Sequence, residues 1–282
     1  MASPIDDVEF LVASDHRVTV LQSLRERPCS RTELRTATGA SSATVGRIIS
    51  DFEDRHWIDR EERDYELTGL GTFVADRMES FVEAMTTEQR LREVSPWLPF
   101  ELEGFGVELL GDPVVSSPGQ RYPYEPVERN VQLLAETKTL RGFGMVMLKA
   151  SVLEEFFASV LEGMQVEMVY PPAVFETIHA WDPETVAEAL AHDTYSVYLH
   201  DDLPNSDWCG ISLVDDRTTI CCYEPETGLL RSLVDTDAPE AYEWGEAVVE
   251  RYRADARPLE DVADLDPNES SQPSPGVGSN RR

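Results

Sequence analysis

Two sets of residues in this 282-residue chain have the types and spacing to do chemistry. The first is a run of nine arginines, Arg17, Arg25, Arg27, Arg31, Arg35, Arg47, Arg55, Arg60 and Arg63, within residues 14–68. A guanidinium fork matches phosphate oxygens and guanine edges. Eleven acids share that segment, so it stands at −2 while the other 227 residues carry −28. A segment that must approach phosphate would be spared acid in this way. The second set is the cysteines, at 29, 209, 221 and 222, with His200, Asp201 and Asp202. Their spacing fits no disulfide framework and no zinc set. Cys221-Cys222 on a strand would place one thiol inward and one outward. A thiol sensor is conceivable there, but small apolar packing is the commoner use. No phosphate loop is present, because neither Lys138 nor Lys149 follows a suitable glycine, and Gly142-Phe143-Gly144 lacks a third glycine. The sequence thus offers no catalytic residue, no metal ligand set and no cofactor motif.

Composition narrows the class further. Acids number 54 and basic residues 24, of which only two are lysines. Acid excess with scarce lysine resembles the proteomes of halophilic archaea, where carboxylates hold water and cations at a screened surface. Apolar residues make up 41% of the chain, enough for real cores. No apolar run reaches the length of a membrane span, and the acidic start MASPIDDVEF has no signal-peptide pattern, so a reducing cytoplasm is expected.

The elements that must position the arginines follow from periodicity. Val18, Leu21 and Leu24 mark a helix over 15–26, ended by Pro28. Ser30 with Glu33 reads as a capping box for a short helix, and Gly39 as its stop. Ser41 or Ser42 caps the next helix, whose Val45, Ile48, Ile49 and Phe52 follow the i, i+3, i+4, i+7 rule. Residues 57–60 and 65–67 read as strands around the turn 61–64. A longer helix at 69–93 is striped by Phe73, Val74, Met78, Phe81, Val82 and Met85, and Pro96 and Pro99 mark a domain boundary.

The order helix, helix, turn, helix, hairpin, with Thr44-Val45, Arg47-Ile48, Trp57-Ile58 and Tyr65-Glu66-Leu67-Thr68, resembles archaeal and bacterial winged helix-turn-helix transcription regulators. The resemblance implies a recognition helix at 41–55, a wing at 57–67 and duplex DNA as partner. Because the apolar residues of the recognition helix face the core, Arg47 and Ser50 point outward with Thr44 flanking, and that small face suits a major groove. Ser42 and Thr44 at the helix start suit phosphate. Arg31 and Arg35 would meet the backbone, and Arg60 and Arg63 a neighbouring minor groove. A homodimer through 69–93 is expected, as two half-sites require.

Beyond residue 94 the pattern changes. Glu125–Thr139 reads as a helix and Gly106–Leu110 as a short strand. Strands at 141–148, 165–170, 195–199, 209–214, 218–223 and 229–234 alternate with helices at 152–161, 172–179 and 183–191, and a helix at 238–254 closes the unit. The fold class expected is therefore α+β or α/β: a winged helix-turn-helix over 1–93, a mixed-sheet regulatory domain over 94–257 and a disordered tail over 258–282. Leu140-Arg141-Gly142-Phe143, Ser232–Asp237 and Glu243-Trp244-Gly245-Glu246 resemble the middle domain of the Fil-type methanogenesis regulatory protein. That resemblance implies a sensor or assembly domain distantly similar to the phospholipase D fold. Phosphodiesterase chemistry of that type needs His-x-Lys, and the five histidines are followed two residues on by Val18, Ile58, Trp181, Thr194 and Asp202. Phe143, Tyr195, Tyr198, Trp208 and Tyr223 are the candidate lining of an effector pocket, although ordinary core packing is the commoner fate of such aromatics. The reading that emerges is a DNA-binding regulator with an unknown small-molecule effector. The alternatives are a winged helix used for protein contact alone and, more remotely, a phosphodiesterase-like enzyme.

Overall fold

The computed structural model describes residues 3–144, 150–203, 209–224 and 230–259. Trp208, residues 145–148 of the expected strand and residues 260–282 of the expected tail lie outside them. The chain forms two compact units, Met1–Gln89 and Arg90–Arg282.

The first unit contains α1 (Pro4–Val12), α2 (Asp15–Glu26), β1 (Cys29–Ser30), α3 (Arg31–Thr38), α4 (Ser42–Asp54), β2 (Ile58–Glu61) and β3 (Asp64–Leu67). Most of α5 (Gly69–Leu91) follows. The capping box forms as spacing demands: Glu33 accepts from the Ser30 backbone at 2.8 Å and Ser30 Oγ accepts from the Glu33 backbone at 3.4 Å. Gly39 ends α3 with φ 66°, a left-handed conformation that costs glycine little. Val45, Ile48, Ile49 and Phe52 are buried on one face of α4 against Val20, Leu21 and Leu34. The antiparallel order β1-β3-β2 makes a three-stranded sheet. Its outer hairpin turns on two residues, Glu62 and Arg63, tighter than the four-residue turn expected. Gly71 is required where α5 starts, because a Cβ there would lie 1.8 Å from the Trp57 carbonyl oxygen.

Two elements of this unit escaped the sequence reading. β1 has two residues and no alternation to betray it. α1 starts at a second capping box, Ser3 with Asp6, and brings Phe10 to 6.1 Å from Phe52 between ring centroids.

The second unit is built on one eight-stranded mixed sheet in the order β11-β7-β6-β5-β8-β9-β10-β4. The strands are β4 (Val114–Ser116), β5 (Thr139–Phe143), β6 (Gln165–Tyr170), β7 (Tyr195–Leu199), β8 (Cys209–Val214), β9 (Arg217–Tyr223), β10 (Leu230–Thr236) and β11 (Arg257–Pro258). β5, β6 and β7 run parallel, and the remaining pairings are antiparallel. The helices are α6 (Glu125–Glu136), α7 (Ala150–Leu161), α8 (Pro172–Trp181), α9 (Pro183–Leu190) and α10 (Pro239–Asp255). One core gathers Leu134, Phe156, Phe157, Val166 and Ile178 beneath α6 to α9. The other joins Ile211, Ile220 and Val234 to Trp244 and Val248 of α10. The fold is thus the expected winged helix followed by a mixed-sheet α/β unit. The expected strand at Gly106–Leu110 is instead a 3-10 turn over Val107–Leu110, too short to alternate across a sheet. β4 and β11, both unforeseen, carry too few residues for a readable period.

Asp235 on β10 is fully buried. Arg129 of α6 grips it with Nε at 2.9 Å and Nη2 at 2.7 Å, and Arg217 of β9 donates from Nε at 3.0 Å. Both arginine side chains remain partly exposed, at 28% and 24%. The asymmetry sets an order of stabilities. Replacing Arg129 and Arg217 together by alanine leaves a buried, unpaired carboxylate and costs about 3–5 kcal/mol. Asp235→Asn returns two arginines to water and costs less. Denaturant unfolding of the two variants at matched salt measures this, and the opposite order would refute it.

Candidate nucleic-acid interface

The recognition elements form from the bottom up. Ser41, not Ser42, caps α4: its Oγ accepts from the Thr44 backbone at 3.1 Å and lies 2.9 Å from the Thr44 hydroxyl. Arg47 and Ser50 are exposed on the face opposite the buried stripe, Ser42 is exposed in the first turn of the helix, and Thr44 is half-buried. Arg31 is exposed but occupied. Its Nη2 donates to the Ser42 carbonyl at 2.7 Å, and its guanidinium lies against Gly46, where a Cβ would meet Nη2 at 2.2 Å. Arg31 therefore fastens α3 to the start of α4.

Partners sort the nine arginines of the segment. Arg25 pairs with Asp76 and Glu79 of α5, and Arg27 with Glu33. Arg55 pairs with Asp7 at 3.0 Å and covers the Phe10 ring at 3.8 Å, while Arg17 covers the same ring at 3.9 Å and donates to the Phe10 carbonyl. Arg60 bonds the Glu62 carbonyl at 3.2 Å and stays exposed beside Tyr65. The side chains of Arg35, Arg47 and Arg63 are exposed and form no hydrogen bond or ion pair among the described residues. They occupy the end of α3, the outward face of α4 and the tip of the wing. Sequence reasoning could not separate these three from the rest, because the partners of Arg17, Arg25 and Arg55 come from α1 and α5. Glu33 is held down to about 2 by hydrogen bonds from Ser30 and Arg27, so the cap keeps its charge.

In the second unit, Tyr223 lines a cavity on the α6/α7 side of the sheet; Phe143 borders it, but its ring packs on the other face, 5.3 Å from Tyr252 of α10. Tyr195 does not line it; its ring packs 5.9 Å from Phe156 and 6.0 Å from Phe157. Tyr198 is also outside it and accepts from Arg253 at 2.9 Å. The sequence reading missed Asn130, Ser212 and Thr219, which do line it. Strand alternation places Ser212 and Thr219 on one face, but a small polar residue on a buried face gives no hydropathy signal. Cys221 and Cys222 do not divide into an inward and an outward thiol. Helices cover both faces of the sheet, so Cys221 and Cys222 are both buried. Among the described residues, no group of three His, Cys, Asp or Glu could hold a metal, and no helix is long and apolar enough to cross a membrane.

These features define a two-domain protein of the winged helix class with an α/β unit attached. Residues 5–90 match the family described as the HVO_A0261 N-terminal domain, and residues 123–255 match the family described as the methanogenesis regulatory protein FilR1, middle domain. The resemblance read from the sequence to an archaeal-type regulator thus holds in both units. No curated protein matches the chain. Among solved structures, similarity extends to TrmBL2, described as an archaeal chromatin protein with a novel mode of DNA binding. That match has 11% identity over 90% of this chain and 99% of that one, with a TM-score of 0.40. A phospholipase D family member, Nuc from Salmonella typhimurium, matches at 12% identity over 52% and 97%, TM-score 0.39. A MarR/EmrR family regulator from Acinetobacter sp. ADP1 matches at 16% over 32% and 72%, TM-score 0.25.

Burial pushes the Cys221 and Cys222 thiols up to about 12, and Cys29 and Cys209 upward as well. The thiolate is the nucleophile. Iodoacetamide at pH 8 is therefore expected to leave all four unmodified in the folded chain and to label all four after denaturation, as intact-mass spectrometry would show. Rapid labelling of native Cys221 or Cys222 would restore the thiol-sensor reading.

Proposed function

We propose that the chain is a transcription regulator that binds duplex DNA sequence-specifically through α4 and the β2–β3 wing, with residues 94–257 sensing an effector. The observation that carries this reading is the set of three unpaired arginines in a chain of net charge −30. In such a chain carboxylates surround most cations, and the three that stay free among the nine of residues 14–68 occupy α3, the outward face of α4 and the wing. Arg47 reads a base edge or phosphate in the major groove, with Ser42 and Ser50 alongside. Arg35 meets the backbone, while Arg63 and Arg60 reach the flanking groove. The match of residues 123–255 to the middle domain of a regulatory protein supports the same reading. The regulator's proposed setting is the cytoplasm of a salt-adapted cell, in keeping with the acid surplus. Few phosphate contacts imply a salt slope shallower than a strongly basic protein would show.

The exposed apolar face of α5 supports a homodimer. Phe73, Phe81, Val82 and Met85 are 62%, 53%, 36% and 39% exposed, and Leu70 adjoins them at 62%. A helix bearing that much unburied apolar surface is expected to pair with its twin. Phe73→Glu with Phe81→Glu should therefore halve the mass seen by sedimentation equilibrium while leaving helix content unchanged. An unchanged mass would remove α5 as the dimer contact.

The deciding experiment is genome-wide chromatin immunoprecipitation of the tagged protein beside Arg47→Glu, followed by binding to the recovered site in vitro. Sharp promoter peaks are expected, and Arg47→Glu should weaken binding by roughly 10-fold or more. Arg27→Glu, at an arginine committed to its own helix cap, should weaken it far less. Absence of peaks, with partners retained in pull-down, would favour the protein-contact reading instead.

A further inference from the structure

The sheet of the second unit carries a run of small residues where β5 meets β8. Gly142 pairs with Ser212, and Gly210 pairs with Cys221 of β9. Small residues on the face toward α6 and α7 leave a cavity of about 60 Å³ between the sheet and those helices. By volume it holds about four or five water-sized groups. Its walls are chiefly aliphatic and aromatic, including Leu134 of α6, Leu153 of α7 and Met168 of β6.

The polar groups in this lining differ in how they are satisfied. The Thr219 hydroxyl donates to the Ser212 carbonyl at 3.3 Å. The Tyr223 phenol lies beside the Cys221 thiol, and the Tyr170 phenol lies near the Tyr195 hydroxyl, which is buried behind the lining without a hydrogen-bond partner among the described residues. Asn130 differs from these. It lines the cavity, is 9% exposed, and its side-chain amide forms no hydrogen bond among the described residues while staying open to the cavity. A buried amide is costly until a partner supplies the missing bonds. The charge inventory is equally informative. Aspartate, glutamate, lysine and arginine form 28% of the chain, yet none of them lines the cavity. An ion entering it would lose its water with no counter-charge to meet it.

We infer that this cavity is the effector site and that it takes a neutral molecule of about four to six non-hydrogen atoms, with an apolar body and one group that both donates and accepts hydrogen bonds. The Asn130 amide meets that group, with the Ser212 hydroxyl beside it, and the apolar walls hold the body. The assignment rests on the reading of residues 94–257 as the effector domain. It excludes carboxylates, phosphates and ammonium ions as ligands of this cavity.

Met168 supplies a reporter, because its methyl carbon lies 3.8 Å from where a Cβ on Gly144 would stand. The full-length chain, labelled with methyl-13C methionine, is titrated with 2-butanol, butyrate and butylammonium, and operator binding is measured on the same samples. The Met168 signal is expected to shift saturably with 2-butanol and at least 10-fold more weakly with either ion. Gly144→Val, which pushes methyl groups toward the cavity, should abolish the shift. Asn130→Leu, similar in volume, should weaken 2-butanol several-fold while the other methionine signals hold their positions and so report an intact fold. A Met168 signal that ignores 2-butanol, answers the ions equally, or still shifts in Gly144→Val overturns the assignment. If operator binding is intact in that case, the regulator reading survives and only the cavity is lost as its effector site. A saturable, ion-excluding shift without operator binding would keep the cavity as a ligand site and remove the regulator reading instead.

Discussion

The arrangement of this chain depends on the scarcity of positive charge. Acids number 54 against 24 basic residues, so carboxylates outnumber the arginines that could meet them. The fold uses most of its arginines as fasteners. Arg25 ties α2 to α5, Arg55 ties the end of α4 to α1, and Arg141 on β5 reaches Glu167, Glu246 and Glu250 at 3.1–3.3 Å. Pairs exposed in this way each contribute little and are weakened further by salt. Their value is geometric, since they fix which helix lies on which neighbour. Arg129 and Arg217 on Asp235 are the exception, because that carboxylate sees no water. An arginine left out of this scheme is therefore informative in a way it would not be in a basic protein.

Much of the fold was legible because its signals are local. Both short helices of the winged unit announce themselves by caps, and the buried stripe of α4 by its period. The parallel strands β6 and β7 read correctly to the residue, since Val166, Met168 and Tyr170 alternate cleanly and turns bound them. What stayed hidden was assembled from distant sequence. β4 becomes a strand only because β10 lies beside it, and β1 only because β3 does. The candidate site divides the same way. Which face of α4 is outward follows from Val45, Ile48, Ile49 and Phe52, so Arg47 could be named in advance. Which arginines are already spent depends on Asp7, Asp76 and Phe10, and no spacing rule connects those to their partners.

The second unit differs from the first in the kind of interior it builds. A sheet covered on both faces places its strands in low dielectric, which favours neutral side chains and raises the thiols and phenols within. Tyr170, Tyr195 and Tyr223 are all shifted upward by burial. Such an interior discriminates by shape and hydrogen-bond pattern, not by charge. It contrasts with the first unit, whose proposed partner would be recognised through charge.

The margins of the large sheet carry a different consequence. An exposed strand edge is a template for further strands, and a long flat edge invites fibre growth. Here one margin is β4, three residues long, and the other is β11, two residues long and ending in Pro258, which has no N–H to offer. A carboxylate-rich surface loses its mutual repulsion in concentrated salt. Repulsion would then no longer keep neighbouring sheets apart. Short margins and a proline do so at any ionic strength, leaving lateral polymerisation blocked where charge cannot block it.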